Sequence, residues 1–310
     1  MHAIEIKELT KAYAVGFWKK QLRPALQGLS LTVERGETFG FLGPNGAGKT
    51  TTLKILMGIM NPSSGSATIL GKDFQDQEIK AKIGFLPEQP YFYDYLSAPE
   101  LLDYYAQLSG MSAGDRAKRV GPTLEQVGLG SVGNKHLRKF SKGMLQRVGI
   151  AQAIIHDPEV VFLDEPMSGL DPLGRREVRE LIQGLKDQGK TIFFSTHILT
   201  DAEALCDRVA VIHKGELRGI GAVDDLRSRI AENSEVIWEG ANALSAVNGF
   251  LIESHVTGAT VRGVVRNADL DGLLEKLRQQ RAHLVSVTPL QGTLEDYFLA
   301  TTTEKEAIIP

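Results

Sequence analysis

Apolar and polar positions alternate along residues 4 to 9 and again in "LSLTV" (29 to 33), the period-two rhythm of half-buried strands. The turn residues "ERGE" (34 to 37) separate these from "TFGFL" (38 to 42), an unbroken apolar run of strand length. The rhythm then lengthens. Leu101, Leu102, Tyr104, Tyr105 and Leu108 recur at helical spacing behind Ser97 and Glu100, a capping-box pair, and the aromatics in that stripe are read as packing. From Pro158 onward the order is strand ("VVFLDE"), turn ("SGLDP"), a helix with Val178, Leu181, Ile182 and Leu185 on one face, and strand ("TIFFS"). A helix over roughly 200 to 207 leads into "RVAVIH" and the turn "KGE". Apolar strands alternating with helices predict a parallel sheet covered by helices.

Past about residue 222 the pattern shortens to "EVIW", "ATVRGVV", a helix carrying Leu270, Leu273, Leu274 and Leu277, then "HLVSV" and "TLEDYFL". That tail reads as a small separate α/β unit. Residues 14 to 23, "AVGFWKKQLR", fit neither part: they mix Phe17, Trp18 and Leu22 with Lys19, Lys20 and Arg23. A solvated hairpin loop and an interfacial docking loop are the two readings of that stretch.

Composition narrows the classes. A chain of 310 residues with 42% hydrophobic content supports roughly two globular domains. Thirty-five basic against 38 acidic residues give a net charge of −3, so no nucleic-acid partner is expected. The single cysteine, Cys206, offers neither a disulfide nor a zinc site and suggests a reduced, cytoplasmic compartment, with the thiol as core filler. The opening "MHAIEIKELTKAY" lacks the plan of a signal peptide, and no apolar run approaches the roughly 20 residues that span a bilayer.

The strongest chemical pattern is "GPNGAGKT": Gly43, Pro44, Asn45, Gly46, Ala47, Gly48, Lys49 and Thr50. It satisfies GxxxxGK[ST] and lies between a strand and the helical "TTTLKILMGI", where small residues let backbone amides turn toward a phosphate and a helix N-terminus faces the same anion. Lys49 supplies a charge for the β/γ-phosphates and Thr50 a hydroxyl for Mg²⁺. "GLKDQGKT", Gly184 to Thr191, satisfies the same expression, but it runs from helix to strand, the wrong order. Gly189 there is read as the residue after a helix end and Lys190 as a charge near its negative pole.

Asp164 and Glu165 follow the apolar "VVFL", at the strand end where parallel sheets place ligands. Asp164 is suited to hold Mg²⁺ and Glu165 to activate a water against the γ-phosphate. His197 follows "TIFFST" at another strand end, placed to donate to the γ-phosphate or the attacking water. In "KFSKGMLQR" (139 to 147), Ser141 and Gly143 fit either a helix cap or an anion site at a helix N-terminus.

Taken in order, "GPNGAGKTT", "FSKGMLQR", "VVFLDEPMSGLDP" and "FFSTH" resemble the ATP-binding subunits of ABC transporters over roughly residues 3 to 222. The resemblance implies an α/β fold: a P-loop NTPase core of mainly parallel sheet flanked by helices, an antiparallel N-terminal β subdomain and a helical subdomain at about 88 to 158. Residues 1 to 222 would form the ATPase domain and 223 to 310 an accessory domain. By the same resemblance Tyr13 stacks on adenine, Gly43 to Thr51 form the Walker A loop, and Asp164 with Glu165 form the Walker B pair. Ser141, Lys142 and Gly143 match the signature segment, which completes the partner's ATP site in a homodimer. Ser168, Gly169, Leu170 and Asp171 match the D-loop, and His197 the switch histidine.

Two departures stand out. At the Q-loop, "FLPEQP" puts Glu88 in register and Gln89 one place later, and either could serve. In the signature, Lys142 replaces a glycine, either adding charge near the phosphates or pointing to solvent. The tail "LVSVTPLQGTLEDYFLATT" resembles the extension of subunits paired with a separate membrane permease, many of them exporters. The expected protein is therefore an ATPase using ATP and Mg²⁺, peripheral on the inner face of the cell membrane through an integral membrane permease. The alternative is a soluble ABC ATPase acting on DNA or ribosomes. A single genuine P-loop, no extended heptads and no basic excess count against it.

Overall fold

A computed structural model describes residues 2–15, 21–228, 233–240, 243–290 and 292–303. Residues 16 to 20 of the aromatic and basic stretch, Phe17 and Trp18 among them, lie outside the described residues. Contacts divide the chain after Ala222 into two units.

In the first unit, β1 (Ile4–Val15) and β2 (Gln21–Val33) pair antiparallel, followed by β3 (Thr38–Leu42), α1 (Lys49–Leu56), β4 (Ser64–Ile69) and β5 (Lys72–Asp73). Next come α2 (Gln77–Lys80), β6 (Ile83–Leu86), α3 (Ala98–Leu108), α4 (Ala113–Gln126), α5 (Lys142–Ile154) and β7 (Val160–Asp164). The unit closes with α6 (Pro172–Asp187), β8 (Thr191–Thr196), α7 (Leu199–Leu205), β9 (Arg208–His213) and β10 (Glu216–Ala222). Two sheets result, one in the order β2-β1-β4-β5 and one in the order β10-β9-β3-β8-β7-β6. In the second, β9, β3, β8, β7 and β6 run parallel and β10 is an antiparallel edge.

This mixed sheet is buried on both faces, which is why β3, β7 and β8 are apolar without alternation. On one face Phe39, Phe41 and Phe162 gather around Phe193, with ring centroids 5.4 to 5.8 Å apart, and meet Leu53 of α1 and Ile4, Ile6 and Leu29 of the antiparallel sheet. On the other, Leu163 and Phe194 pack with Leu101 and Leu102 of α3, Leu124 of α4 and Ile150 of α5. The capping box at Ser97 and Glu100 is formed, with the Ser97 amide donating to Glu100 Oε2 at 2.8 Å. Because the five parallel strands point the same way, their C-terminal ends deliver Gly43, Glu88, Glu165 and His197 to one edge.

The second glycine-lysine-threonine sequence ends a helix, as its order implied. The Gly189 amide donates to Lys186 O at 2.8 Å with φ at 78°, and Lys190 Nζ is 2.7 Å from Asp157 Oδ1. Lys190, together with Arg119, holds the Asp157 carboxyl below its ordinary range. A depressed carboxylate stabilises the fold above its unfolded pKa, and that contribution is lost as the pH falls through the folded value. Lys190→Ala is therefore expected to leave ATP affinity unchanged and cost up to about 1 kcal/mol at neutral pH, near 2 °C in Tm. The difference in thermal melting should narrow as the pH drops into the carboxylate range.

The second unit holds α8 (Val223–Ser228), β11 (Asn233–Glu239), α9 (Leu244–Val247), β12 (Leu251–Thr257), β13 (Thr260–Arg266), α10 (Leu270–Gln279), β14 (His283–Pro289) and α11 (Leu294–Thr303). Its sheet is antiparallel in the order β12-β13-β11-β14. Val236, Trp238, Val261 and Val265 alternate onto one face and pack against Leu273 and Leu277 of α10.

Candidate nucleotide site

A cleft of about 530 Å³ opens beside α1 and is lined by Tyr13, Arg23, Pro24, Asn45, Gly48, Lys49, Thr50, Thr51, Glu88 and Glu165 among others. The loop that forms its floor depends on Gly48, which has φ at 113° immediately before α1. A Cβ there would lie 2.7 Å from Ala25 O. The first-turn amides of α1 have no acceptor within the helix and face the loop, the arrangement that receives an anion. Tyr13 flanks the same opening, its hydroxyl 3.3 Å from Thr51 Oγ1 and 3.2 Å from Met60 Sδ.

Lys49 is 5% exposed. Its ammonium donates to Gly43 O at 2.7 Å and Pro44 O at 3.3 Å, and lies 3.1 Å from Glu165 Oε1. The last contact is ionic only: its angle is not that of a hydrogen bond, and Oε1 is a buried acceptor without a hydrogen-bond donor. Glu165 sits just past β7 with φ at 50°, a left-handed conformation costly for a side-chain-bearing residue. It is held there from β8, its amide donating to Ser195 O at 3.2 Å and Ser195 Oγ at 3.1 Å. The other carboxylate oxygen, Oε2, is 2.9 Å from His197 Nδ1.

Asp164, the preceding residue, is 1% exposed. Its Oδ1 accepts from Ser195 Oγ at 2.6 Å, and the Thr50 hydroxyl lies near enough to favour its charged form. Burial raises its pKa, and Ser195, Thr50 and Lys49 pull it back only in part. A hard-oxygen pair, hydroxyl plus buried carboxylate, fits a small divalent ion that keeps most of its waters. Among the described residues no group of three or more His, Cys, Asp or Glu side chains forms a metal cage.

The remaining candidates occupy two further clefts. One, of about 390 Å³, is lined by Ser141, Lys142, Gly143, Arg147, Gly169, Leu170 and Asp171 among others. The other, of about 320 Å³, is lined by Glu88, Gln89, Pro90, Lys142, Leu145, Gln146 and Ser168. Ser141 does cap α5, its Oγ accepting from the Met144 amide at 3.3 Å; the cap uses a lone pair, so the hydroxyl hydrogen remains available to an anion. Lys142 is exposed and lines the first of these clefts with Ser141, and its ammonium rests against Gly169, where φ is 65° and any side chain would collide with it. Asp171 caps α6, accepting from the Gly174 amide at 2.8 Å. Of the two Q-loop candidates, Glu88 lines both the nucleotide cleft and this third cleft, whereas Gln89 lines only the latter. Sequence reasoning passed over Arg23 and Ser195. The signal available for Ser195 was a polar residue ending an apolar strand, which it does fully buried.

A family model described as ABC transporter matches residues 26–168. An uncharacterised ABC transporter ATP-binding protein of Synechocystis, sll0415, is 46% identical over 300 residues, 96% of this chain and 84% of that one. The bacitracin transport ATP-binding protein BcrA of Bacillus licheniformis is 36% identical over 303 residues, 96% of each chain. Among solved structures, an ATP-binding subunit of an ABC transporter is 33% identical, with a TM-score of 0.64 over 73% of this chain and 92% of that one. The ATP-binding cassette MJ0796, dimeric in a post-hydrolysis state with ADP and Pi, is 27% identical with a TM-score of 0.64 over 71% and 98%. Likeness of this extent, on a cleft built around Lys49 and Glu165, settles the family: the chain belongs to the ATP-binding proteins of ABC transporters, and its activity is ATP hydrolysis.

Proposed function

We propose that two copies of this chain close over two ATP molecules and drive a membrane permease that exports its substrate. The observation that carries the hydrolytic half is Glu165 Oε1, a buried acceptor with no donor, 3.1 Å from the lysine of the phosphate loop. A γ-phosphate seated on that loop competes for the Lys49 ammonium. As the amine turns to the phosphate, Oε1 is released to accept the proton of a water attacking phosphorus while ADP leaves. His197, bonded to Oε2, fixes the carboxylate and stands ready to donate toward the phosphate. Thr50 and Asp164 would hold Mg²⁺, which neutralises charge on the β/γ-phosphates when bound. Tyr13 offers its ring to adenine, and Glu88, at the cleft wall, takes the Q-loop place.

Ser141 and Gly143 lie in a cleft separate from the one holding Lys49, which supports a role toward a partner's nucleotide. Ser141→Ala is therefore expected to lower steady-state hydrolysis about tenfold at saturating ATP, the value of one charge-assisted hydrogen bond, while binding to the separate chain is unchanged. Equal losses in both would reduce Ser141 to a helix cap.

Export and a permease partner rest on different support. Relatives are named for bacitracin transport and, in Bacillus subtilis, linearmycin resistance. Among the described residues no helix is long and apolar enough to cross a membrane, so membrane placement would come through the partner. Next to the Q-loop segment, Tyr91, Tyr93 and Tyr95 are 88, 44 and 61% exposed, an aromatic ridge of the kind found at protein interfaces. Solubilised native membranes should yield the chain bound to an integral membrane protein. Recovery only with ribosomes or DNA would support the soluble alternative.

A further inference from the structure

Asp201 lies in the first turn of α7, is 1% exposed and was not singled out by any motif. Its Oδ1 is 3.5 Å from Arg179 Nη1, at the limit of a hydrogen bond, and Oδ2 is buried without a partner among the described residues. A half-satisfied buried carboxylate is costly, so native proteins seldom keep one without use. The charged groups within electrostatic reach of it come from three elements: Arg175 and Arg179 from α6, Glu165 from the end of β7 and His197 from the end of β8. Arg175 donates its Nε hydrogen to Leu170 O at 3.2 Å, holding the backbone of the D-loop. No hydrogen bond from its terminal nitrogens is found among the described residues.

We propose that Asp201 is a positioning residue that ties the D-loop to the hydrolytic pair, drawing the Arg175 guanidinium between Leu170 O and Asp201 Oδ2 beside Glu165 and His197. The inference rests on the reading of Glu165 and His197 as the groups that act on water. It adds a route by which a displacement of the D-loop reaches them. A D-loop that shifts carries Leu170 O, and with it the guanidinium bonded to that oxygen, which is already within electrostatic reach of Asp201. Closing that fork restores the missing hydrogen bond and fixes the ground on which His197 stands, four residues earlier in the chain. Arg179 already lies on Oδ1, at 3.5 Å, and leaves Oδ2 open.

The test is a double-mutant cycle on the full-length chain, following ATP hydrolysis and the KM for ATP. D201N and R175Q should each lower kcat between about tenfold and a hundredfold with KM within twofold, as expected when a reacting group is misplaced and substrate contacts are intact. The double variant should be no slower than the slower single one, because both act through one linkage. D201E should recover most of the loss. Native kcat in D201N, single losses that multiply in the double variant, or a raised KM at unchanged kcat would each overturn the proposal. If melting curves show that D201N does not fold, R175Q and D201E decide by the same split. E165Q measured alongside separates the two ideas: its hydrolysis at the native rate removes the reading of Glu165, whereas the Asp201–Arg175 cycle is read without that residue.

Discussion

Glu165→Gln is expected to bind ATP as tightly as the native chain and to lose turnover by roughly 10²- to 10⁴-fold, the usual worth of a positioned general base. The substitution preserves volume and one oxygen, so the residue can still accept from His197 Nδ1, now 2.9 Å from Oε2. It removes a carboxylate that is buried next to the lysine of the loop and can take a proton. The amide also turns a donor toward the Lys49 ammonium, a contact that ATP relieves by giving the ammonium a phosphate instead. The variant should therefore favour the nucleotide-bound form. Phosphate release at saturating ATP reads the effect directly; a rate within twofold of native would take Glu165 out of the proton transfer.

Lys49→Ala should act on the opposite half of the cycle. Removing the ammonium deletes charge-assisted hydrogen bonds to the phosphates, each worth roughly 1.5 to 3 kcal/mol, so ATP should bind on the order of tenfold to a hundredfold more weakly. A second consequence follows from the 3.1 Å ionic contact with Glu165, because both side chains are nearly fully buried. Without its cation, Glu165 is a buried carboxylate facing loop carbonyls, and the chain should melt lower than native in the absence of nucleotide. Titration with a fluorescent nucleotide and a thermal melt separate the two effects. Lys190→Ala, at the other glycine-lysine-threonine sequence, should show neither the binding loss nor a large melting shift.

What could be read from the chain follows from how locally each feature is encoded. The phosphate loop was legible because its lysine, its glycines, the strand before it and the helix after it lie within about twenty consecutive residues, and the order strand–loop–helix excluded the copy at 184–191. The parallel sheet was legible because strands buried on both faces lose their alternation. Residues brought together only by the sheet were harder. Ser195 supports Asp164 and Glu165 from the next strand, yet nothing near it in sequence indicates that its hydroxyl will bond Asp164. Arg23 reaches the cleft from β2, although it lay inside the stretch 14 to 23 that read as a solvated hairpin or a docking element; the ends of that stretch are strand. Asp201 resembled any acid near a helix start until folding placed Arg179 of α6 against it and Arg175 within electrostatic reach. The contact of the signature lysine was not legible for a similar reason: its ammonium lies against Gly169, whose missing side chain leaves room for it. The Q-loop register needed geometry too, since only the fold distinguishes Glu88 from Gln89 as the residue at the nucleotide cleft.

The claim on which the rest depends is that ATP joins two copies of this chain. The most direct measurement is the molar mass of full-length Glu165→Gln by light scattering, with and without MgATP, since that variant holds nucleotide without consuming it. The expected result is the mass of one chain without nucleotide and of two chains with ATP, returning to one when Ser141→Arg is added to close the signature cleft. A mass of one chain under all conditions, with ATP shown to be bound, would contradict a composite site.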